Sequence, residues 1–189
     1  MFTYVQLYDF PGLLSRIRVA NNPGASRPGL PRFRMVAYTG GLMQLAGFPH
    51  PVVVDLAGLE IPPQNPPVRL DHERRQGVGH TSRVAVENGR LVAEGLISRD
   101  TSWARDVAKS GVNGFPWQAS IGAAVVESEF VPPGQAVHVN GRTFEGPVHV
   151  VRQERYSRRS VSSIAGPIPR PRPAPRRAGR RLRAWRWFA

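Results

Sequence analysis

Apolar residues in this chain fall in short runs separated by clusters of glycine, proline, asparagine and aspartate. Such runs, rich in β-branched side chains and bounded by turn residues, predict β-strands. Two dipeptides, Asn88-Gly89 and Asn140-Gly141, predict tight hairpins because both residue types tolerate the positive φ of a primed turn. The predicted strands are 33–38, 51–56, 68–72, 78–86, 91–97, 118–131, 137–139, 143–144 and 148–151.

One segment, residues 100–110, has the spacing of an amphipathic helix instead. Asp100 or Thr101 can cap its start, and Gly111 can end it. Its apolar positions are Trp103, Ala104, Val107 and Ala108. The pattern therefore predicts an α+β fold that is strand-rich, with a small mixed β-barrel-like domain and one or few helices.

Composition divides the chain into three parts. Residues 21–31 are rich in asparagine, proline and glycine, so residues 1–31 are predicted to form an N-terminal extension and linker. Residues 32–156 hold the predicted strands and form the domain. Residues 157–189 mix proline with arginine and end in an arginine-rich run. This composition cannot build a core, and it predicts a disordered basic tail.

The formal net charge of +13 is concentrated at the C-terminal end. Residues 1–151 hold 14 basic and 12 acidic side chains, a net of +2, whereas residues 152–189 hold 12 arginines and one acid, a net of +11. Any attraction to nucleic acid is therefore predicted for the tail rather than the nearly neutral body.

The sequence disfavours two classes of protein, those that depend on cysteine and those that span a membrane. The absence of cysteine excludes disulfides and thiolate metal sites. No apolar run approaches the roughly 20 residues that span a bilayer. Residues 1–14 lack a basic start and a small-residue cleavage site, so we expect neither a signal peptide nor an anchor, and no membrane partner.

Two residues carry the candidate chemistry. His72 ends the apolar run 68–72, and Ser120 begins another, beside small residues that leave room for a substrate backbone. A serine hydroxyl becomes a nucleophile when a histidine accepts its proton, so the pair predicts a hydrolase if the two meet in the fold. A structural serine and a polar strand end are the alternative interpretation. On periodicity alone, His80 is a comparable base.

The remaining chemistry-bearing residues form no known motif. Gly77-Val78-Gly79 lacks the strand and helix context of a phosphate-binding loop. His138, His149 and Glu145 can cluster, but they lack metal-ligand spacing. We therefore predict no metal and no cofactor.

At the two candidate residues the chain resembles the prohead (procapsid maturation) serine proteases of tailed bacteriophages, which are similar to the herpesvirus assemblins. The resemblance covers roughly residues 33–151. It rests on the order of short motifs, with His72 and Ser120 in the expected sequence. These motifs are Leu70-x-His72, Val78-Gly79-His80, the hairpin return Gly89 to Gly95, a helix with Ala104 and Val107-Ala108, and Ser120-Ile121-Gly122.

The resemblance implies His72 as general base and Ser120 as nucleophile, in a mixed β-barrel-like α+β fold without a cofactor. It also implies an endopeptidase that processes the phage scaffold protein and the major capsid protein, with possible self-cleavage. The expected location is the bacterial cytoplasm, inside the assembling procapsid.

The chain departs from the family at the third catalytic position. Many phage members have an acid there, within a Glu-Val/Ile-Ser stretch that follows the serine by some 20–40 positions. This chain has residues 157–162, Ser-Arg-Arg-Ser-Val-Ser, without an acid. His149, Glu145 and Glu154 are possible substitutes.

Two alternatives to an active protease stay open. In the first, the chain is a non-enzymatic assembly or nucleic-acid-binding protein that acts through its basic tail. In the second, it is an inactive remnant whose tail, beginning near Arg152, is an out-of-frame translation that replaces the last strand.

Overall fold

A computed structural model describes residues 4–6, 17–20, 29–45, 47–61, 66–155 and 162–165. Thirteen strands and one α-helix are assigned within these ranges. They are β1 (Tyr4–Gln6), β2 (Ile17–Ala20), β3 (Arg32–Tyr38), β4 (Val52–Val54), β5 (Leu59–Glu60), β6 (Pro67–Leu70), β7 (Gly77–Glu87), β8 (Arg90–Leu96), α1 (Ser102–Val112), β9 (Gln118–Val131), β10 (Ala136–Val139), β11 (Arg142–Glu145), β12 (Val148–Arg155) and β13 (Ser162–Ala165).

Eleven of the strands form one curled sheet that resembles half of a barrel. Its order is β2-β3-β8-β7-β6-β13-β9-β12-β4, with β1 paired to β9 and β5 paired to β12. The other two strands, β10 and β11, form a separate hairpin. The predicted strand-rich α+β class is therefore confirmed for the part of the chain that the structure describes.

Both predicted hairpin turns are present, and their backbone explains the residues found there. Asn88 and Gly89 connect β7 to β8 with φ of 50° and 68°, and Asn140 and Gly141 connect β10 to β11 with φ of 54° and 75°. Asparagine and glycine accept this left-handed region at low cost, which is why the local sequence predicts the turn.

The helix α1 lies close to its predicted position. Thr101 precedes it in an extended conformation, and Ala104 and Val107 are buried. The indole Nε1–H of Trp103 donates to the carbonyl oxygen of Gly77 at 3.0 Å, which ties the helix to the start of β7. No helix of the described residues is long and apolar enough to cross a membrane.

Two apolar cores hold these elements together. The larger core lies against one face of the curled sheet and includes Met35, Val68, Leu91 and Trp117. The smaller core joins the β10–β11 hairpin to the outer end of the sheet through Val53, Val131, Val139, Val148 and Val150. Burial of this kind is the main favourable contribution to folding.

Strands also occur in the two segments that the sequence analysis places outside the domain. In the predicted extension 1–31, β1 pairs with β9 and β2 pairs with β3. In the predicted tail 157–189, β13 (Ser162–Ala165) pairs with both β6 and β9. Residues 166–189 lie outside the described residues.

Three turns, at Gly40, Gly89 and Asn140, pack closely against one another through their backbones. A Cβ at Gly40 would overlap the carbonyl oxygen of Gly89, and a Cβ at Gly89 would overlap the carbonyl oxygen of Asn140. The Asn140 amide strengthens this junction, because Nδ2–H donates to the carbonyl oxygen of Val54 at 2.7 Å and Oδ1 accepts from the N–H of Leu56 at 2.9 Å.

We predict that Gly40→Ala lowers the free energy of unfolding by about 3 kcal/mol or more. The positive φ of 77° costs an alanine roughly 1–2 kcal/mol, and the overlap with Gly89 adds to that cost. Gly141→Ala is the matched control, since φ is 75° there and nothing lies within 4 Å of the added Cβ. Urea denaturation measures both variants, and equal losses would contradict the packing of the three turns.

Candidate functional site

His72 lies in a tight turn between β6 and β7. The N–H of Glu73 donates to the carbonyl oxygen of Leu70 at 2.9 Å, and φ is positive at both central residues, 48° at Asp71 and 58° at His72. These are the features of a primed turn, in which glycine is preferred at the position that His72 occupies. The predicted strand 68–72 therefore ends at Leu70, and its last two residues form the turn instead.

This backbone conformation is costly for a histidine. The left-handed region costs a residue with a Cβ roughly 1–2 kcal/mol, and such conformations concentrate at functional sites. Two further hydrogen bonds hold the loop against β7: Leu70 N–H donates to the Gln76 carbonyl at 2.9 Å, and Gln76 N–H donates to the Glu73 carbonyl at 3.0 Å. The imidazole is thus placed by a rigid turn.

The imidazole of His72 is partly shielded from water. Both of its ring nitrogens are buried. Burial lowers the pKa of His72 from 6.5 to about 4, and the positive charge of Arg69 acts in the same direction. The ring is therefore neutral at pH 7, the protonation state in which a histidine can accept a proton.

Ser120 lies near the start of β9 and is only 4% exposed. Two residues that precede it, Trp117 and Ala119, belong to the larger core. Because successive side chains of a strand point to opposite faces, the Ser120 hydroxyl projects from the face of the sheet that is turned away from that core.

The strand β13 connects the two candidate residues through the backbone. Ser163 is the register partner of Ser120 in β9 on one side and of Arg69 in β6 on the other. Adjacent strands lie about 4.8 Å apart, so the backbones of Ser120 and Arg69 are separated by roughly 10 Å. The turn that carries His72 begins directly after this stretch of β6.

Arg69 and Ser120 project from the same face of the sheet. Val68 and Leu70, the neighbours of Arg69 in β6, pack into the larger core, so Arg69 points away from it as Ser120 does. The charge of Arg69 also lowers the pKa of His72, which follows it by three residues. In the sheet, Arg69 on β6 and Ser120 on β9 are therefore separated by the single strand β13, and His72 follows β6 in the turn toward β7.

The three candidates for a third catalytic residue lie elsewhere. His149 is the register partner of Phe130, ten positions along β9 from Ser120, and Glu154 is the partner of Val125. Glu145 is exposed and belongs to the separate hairpin. None of the three is level with Ser120 in the strand ladder.

His149 belongs to an aromatic group at the outer end of the sheet instead. Its ring centroid lies 5.1 Å from Phe48, 6.0 Å from His50 and 4.9 Å from Phe130. Burial lowers the pKa of His149, and the neighbouring His50 lowers it as well. This group lies far along β9 from the candidate nucleophile.

His80, the alternative base, has a partner of its own. Its Nδ1 lies 2.8 Å from the hydroxyl oxygen of Ser98. It sits on β7, which is separated from β9 by both β6 and β13. In the strand order, His80 is therefore three strands from Ser120, whereas His72 follows β6, which is two strands from it.

No family model, curated protein or solved structure matches the chain. No group of three or more histidine, cysteine, aspartate or glutamate side chains in the described ranges is arranged to hold a metal ion.

Two features of the site are missed by the sequence reasoning. Arg69 is not among the predicted site residues, although its place between the apolar Val68 and Leu70 is a sign that it faces away from the core. The strand β13 falls in the predicted tail, because its four residues are flanked by arginine and proline. Its partners on two other strands are visible only in the fold.

We predict that His72 makes the protein less stable as the pH falls from 6.5 to 4. Its pKa is lower in the folded state, so the unfolded chain binds the proton more readily in that window. The full difference between the two pKa values corresponds to about 3 kcal/mol, and solvent screening of the partly exposed ring reduces the expected loss to about 2 kcal/mol.

The test compares urea denaturation of the wild type and His72→Asn at pH 7, 5.5 and 4. Asparagine tolerates positive φ and does not titrate in this range. The contribution of His149 is the same in both proteins and cancels from the difference. Parallel pH curves for the two proteins would show that His72 is not buried in its neutral form.

Proposed function

We propose that this protein is a serine endopeptidase of the prohead-protease type, with Ser120 as the nucleophile and His72 as the general base. The observation that carries the proposal is the pairing of β13 with both β6 and β9, next to a turn whose strained residue is His72. The resemblance at the flanking motifs and the neutral imidazole at pH 7 support it.

The proposed chemistry is acyl transfer. The Ser120 oxygen attacks the carbonyl carbon of the scissile peptide bond while His72 accepts the hydroxyl proton. The protonated His72 then gives that proton to the leaving amine, and an acyl-enzyme remains. Water, deprotonated by His72, attacks the ester and releases the new carboxylate and the free Ser120 hydroxyl.

The substrates proposed for this chemistry are the phage scaffold protein and the major capsid protein, with self-cleavage as a further event, in the procapsid that assembles in the bacterial cytoplasm. An acid that orients the histidine is part of most such sites, and its loss costs on the order of 10⁴ in turnover. Glu145, Glu154 and His149 each lie away from Ser120 in the sheet, and the proposal assigns this role to none of them. We therefore expect slow cleavage.

We predict that Ser120→Ala and His72→Asn each reduce cleavage of a co-expressed scaffold protein by about 10⁴-fold or to the detection limit. The alanine removes the attacking oxygen, and the asparagine cannot accept its proton at neutral pH. Ser128→Ala, an exposed serine of the same strand, is the matched control and retains wild-type cleavage. Unchanged cleavage in both site variants would reject the proposal.

The basic tail is the observation that favours a second function, binding to nucleic acid during assembly. Residues 166–189 carry eight arginines and no acid. Arginine-rich segments with aromatic residues bind phosphates and stack on bases. This function and the protease function reside in different parts of the chain, so a single truncation separates them.

We predict that a chain ending at Ala165 keeps the folded sheet and loses salt-sensitive binding to DNA. The end is placed after β13, since a chain ending at Val151 would remove β13 and part of β12. The full chain is expected to bind a duplex of about 30 base pairs with an affinity that falls steeply between about 50 and 200 mM salt. Equal DNA binding by both chains would exclude the tail as the binding element.

The third proposal is an inactive protease remnant produced by a change of reading frame. The pairing of β13 bears on the position in the chain at which that change would begin. The pairing of β12 through Arg155 and of β13 through Ala165 makes both strands part of the sheet. A change of reading frame that left these strands intact would fall after Ala165. If the nucleotide sequence before Ser162 encodes an acid-containing strand in another reading frame, that finding would favour the inactive remnant.

A further inference from the structure

The outer part of β9, residues 125–131, has one edge that no other strand of the described residues covers. On this side of β9, β13 pairs with Gln118–Ile121 and β1 pairs with Gly122–Ala124, and neither continues further within the described ranges. The strand β12 pairs with the opposite edge. An edge strand offers its backbone N–H and C=O groups to an added extended segment. We call residues 125–131 the β9 edge.

The two faces of the β9 edge differ in chemistry. Val126 and Phe130 are each 46% exposed and lie on one face, since side chains alternate along a strand. Glu127 and Glu129 are exposed on the other face. Glu129 Oε2 accepts from Nε of Arg152 at 2.9 Å, whereas Glu127 has no ion pair within the part of the chain that the structure describes. A complementary strand therefore carries apolar side chains on one face and basic side chains on the other.

A second copy of this chain is a poor match for the β9 edge. Antiparallel pairing of two such edges around Ser128 would place Glu127 of each copy opposite Glu129 of the other. Like charges directly opposite each other on paired strands are destabilising. The acidic side chains therefore oppose self-association and favour a basic partner.

Residues 185–188 of the same chain, Trp-Arg-Trp-Phe, have the complementary pattern. In an extended conformation, Trp185 and Trp187 lie on one face and Arg186 lies on the other. When Arg186 is level with Glu127, the two indoles are level with residues 126 and 128. Cross-strand pairs of opposite charge, and of aromatic with β-branched side chains, stabilise a sheet. Residues 176–189 also lack proline, which would interrupt strand pairing.

The chain is long enough for this contact. Ala165, at the end of β13, pairs with Gln118, and Glu127 lies nine residues further along β9, or about 30 Å. The 20 residues 166–185 extend up to about 66 Å. The segment can therefore turn back from the end of β13 and run along the β9 edge.

We propose that the β9 edge binds residues 185–188 of the same chain as an added strand, and that this docking withholds the arginines of the tail from nucleic acid. The second part of the proposal rests on the nucleic-acid-binding function proposed for the tail. Exposed ion pairs are weak and are screened by salt. A nucleic acid therefore displaces the segment, and docking lowers the affinity for nucleic acid without abolishing it.

The first experiment detects docking in the full chain by NMR at low salt. The chain has no cysteine, so Ala189→Cys carries a single nitroxide spin label beside the docking segment. We expect the label to broaden the backbone amide signals of residues 126–130 and to leave those of α1 unchanged. Glu127→Lys is expected to reduce the broadening strongly. Asp106→Lys, which makes the same change of charge at an exposed acid of α1, is the matched control and retains it.

Two results of this experiment would overturn the docking. One is the absence of broadening at residues 126–130 in the spin-labelled chain. The other is broadening that occurs only between chains, in a mixture of isotope-labelled chains with spin-labelled chains, since the segment would then occupy a second copy.

The second experiment measures binding of the full chain to a DNA duplex of about 30 base pairs. Glu127→Gln weakens docking, so we expect it to bind DNA at least about threefold more tightly than Asp106→Asn, which changes the net charge equally. Equal affinities of these two variants would overturn the withholding of the arginines.

The two experiments separate docking from the nucleic-acid-binding function. Broadening at the β9 edge without DNA binding by any of the proteins would support the docking and reject that function. DNA binding that is equal in the two variants, without broadening, would leave the function standing and reject the docking.

Discussion

The four-residue strand β13 is the constraint on which the candidate site depends. Its backbone hydrogen-bonds on one side to β6 and on the other to β9, and it thereby sets how far the turn of His72 lies from Ser120. Each of its backbone bonds contributes little net free energy, but leaving buried donors and acceptors unpaired costs more. Removing β13 would expose the facing edges of β6 and β9, and these two strands would no longer be held at a fixed separation.

The candidate site combines a serine on a rigid strand with a histidine held under local backbone strain. Ser120 lies on the longest strand of the sheet, where core-facing neighbours anchor it. His72 occupies a left-handed position that glycine would take more cheaply, and its ring is buried in a neutral state. Both features of His72 cost stability, and the larger core and the three-turn junction at Gly40 offset that cost.

The local sequence predicts the turns, the helix and the strand-rich class, because these features depend on residues that are neighbours in the chain. The turns at Asn88-Gly89 and Asn140-Gly141 follow from residues that accept positive φ, and α1 follows from helical spacing and its flanking residues. The sheet class follows from the short apolar runs between turn residues. His72 and Ser120 are identified as candidates from their residue types and flanking motifs, which also require no knowledge of distant pairing.

The other features depend on which strands pair, and in which register, between segments that are far apart in the sequence. Nothing in the composition of Ser162–Ala165 distinguishes a strand from the arginine-rich tail that follows, because its pairing partners lie on β6 and β9, distant in the chain. The displacement of His149 and Glu154 from Ser120 is likewise a consequence of how β12 runs along β9. The sequence does not identify Arg69, because its position level with Ser120 depends on the strand β13 that lies between them.

Active-site labelling tests the central claim, that His72 activates Ser120, most directly. The full chain is treated with a fluorophosphonate probe, which phosphonylates activated serines, and the modified residue is identified by peptide mass mapping. We expect one phosphonyl group at Ser120 in the wild type and none in folded His72→Asn. An unlabelled Ser120 in the wild type, or equal labelling of Ser120 in the two proteins, would contradict the claim.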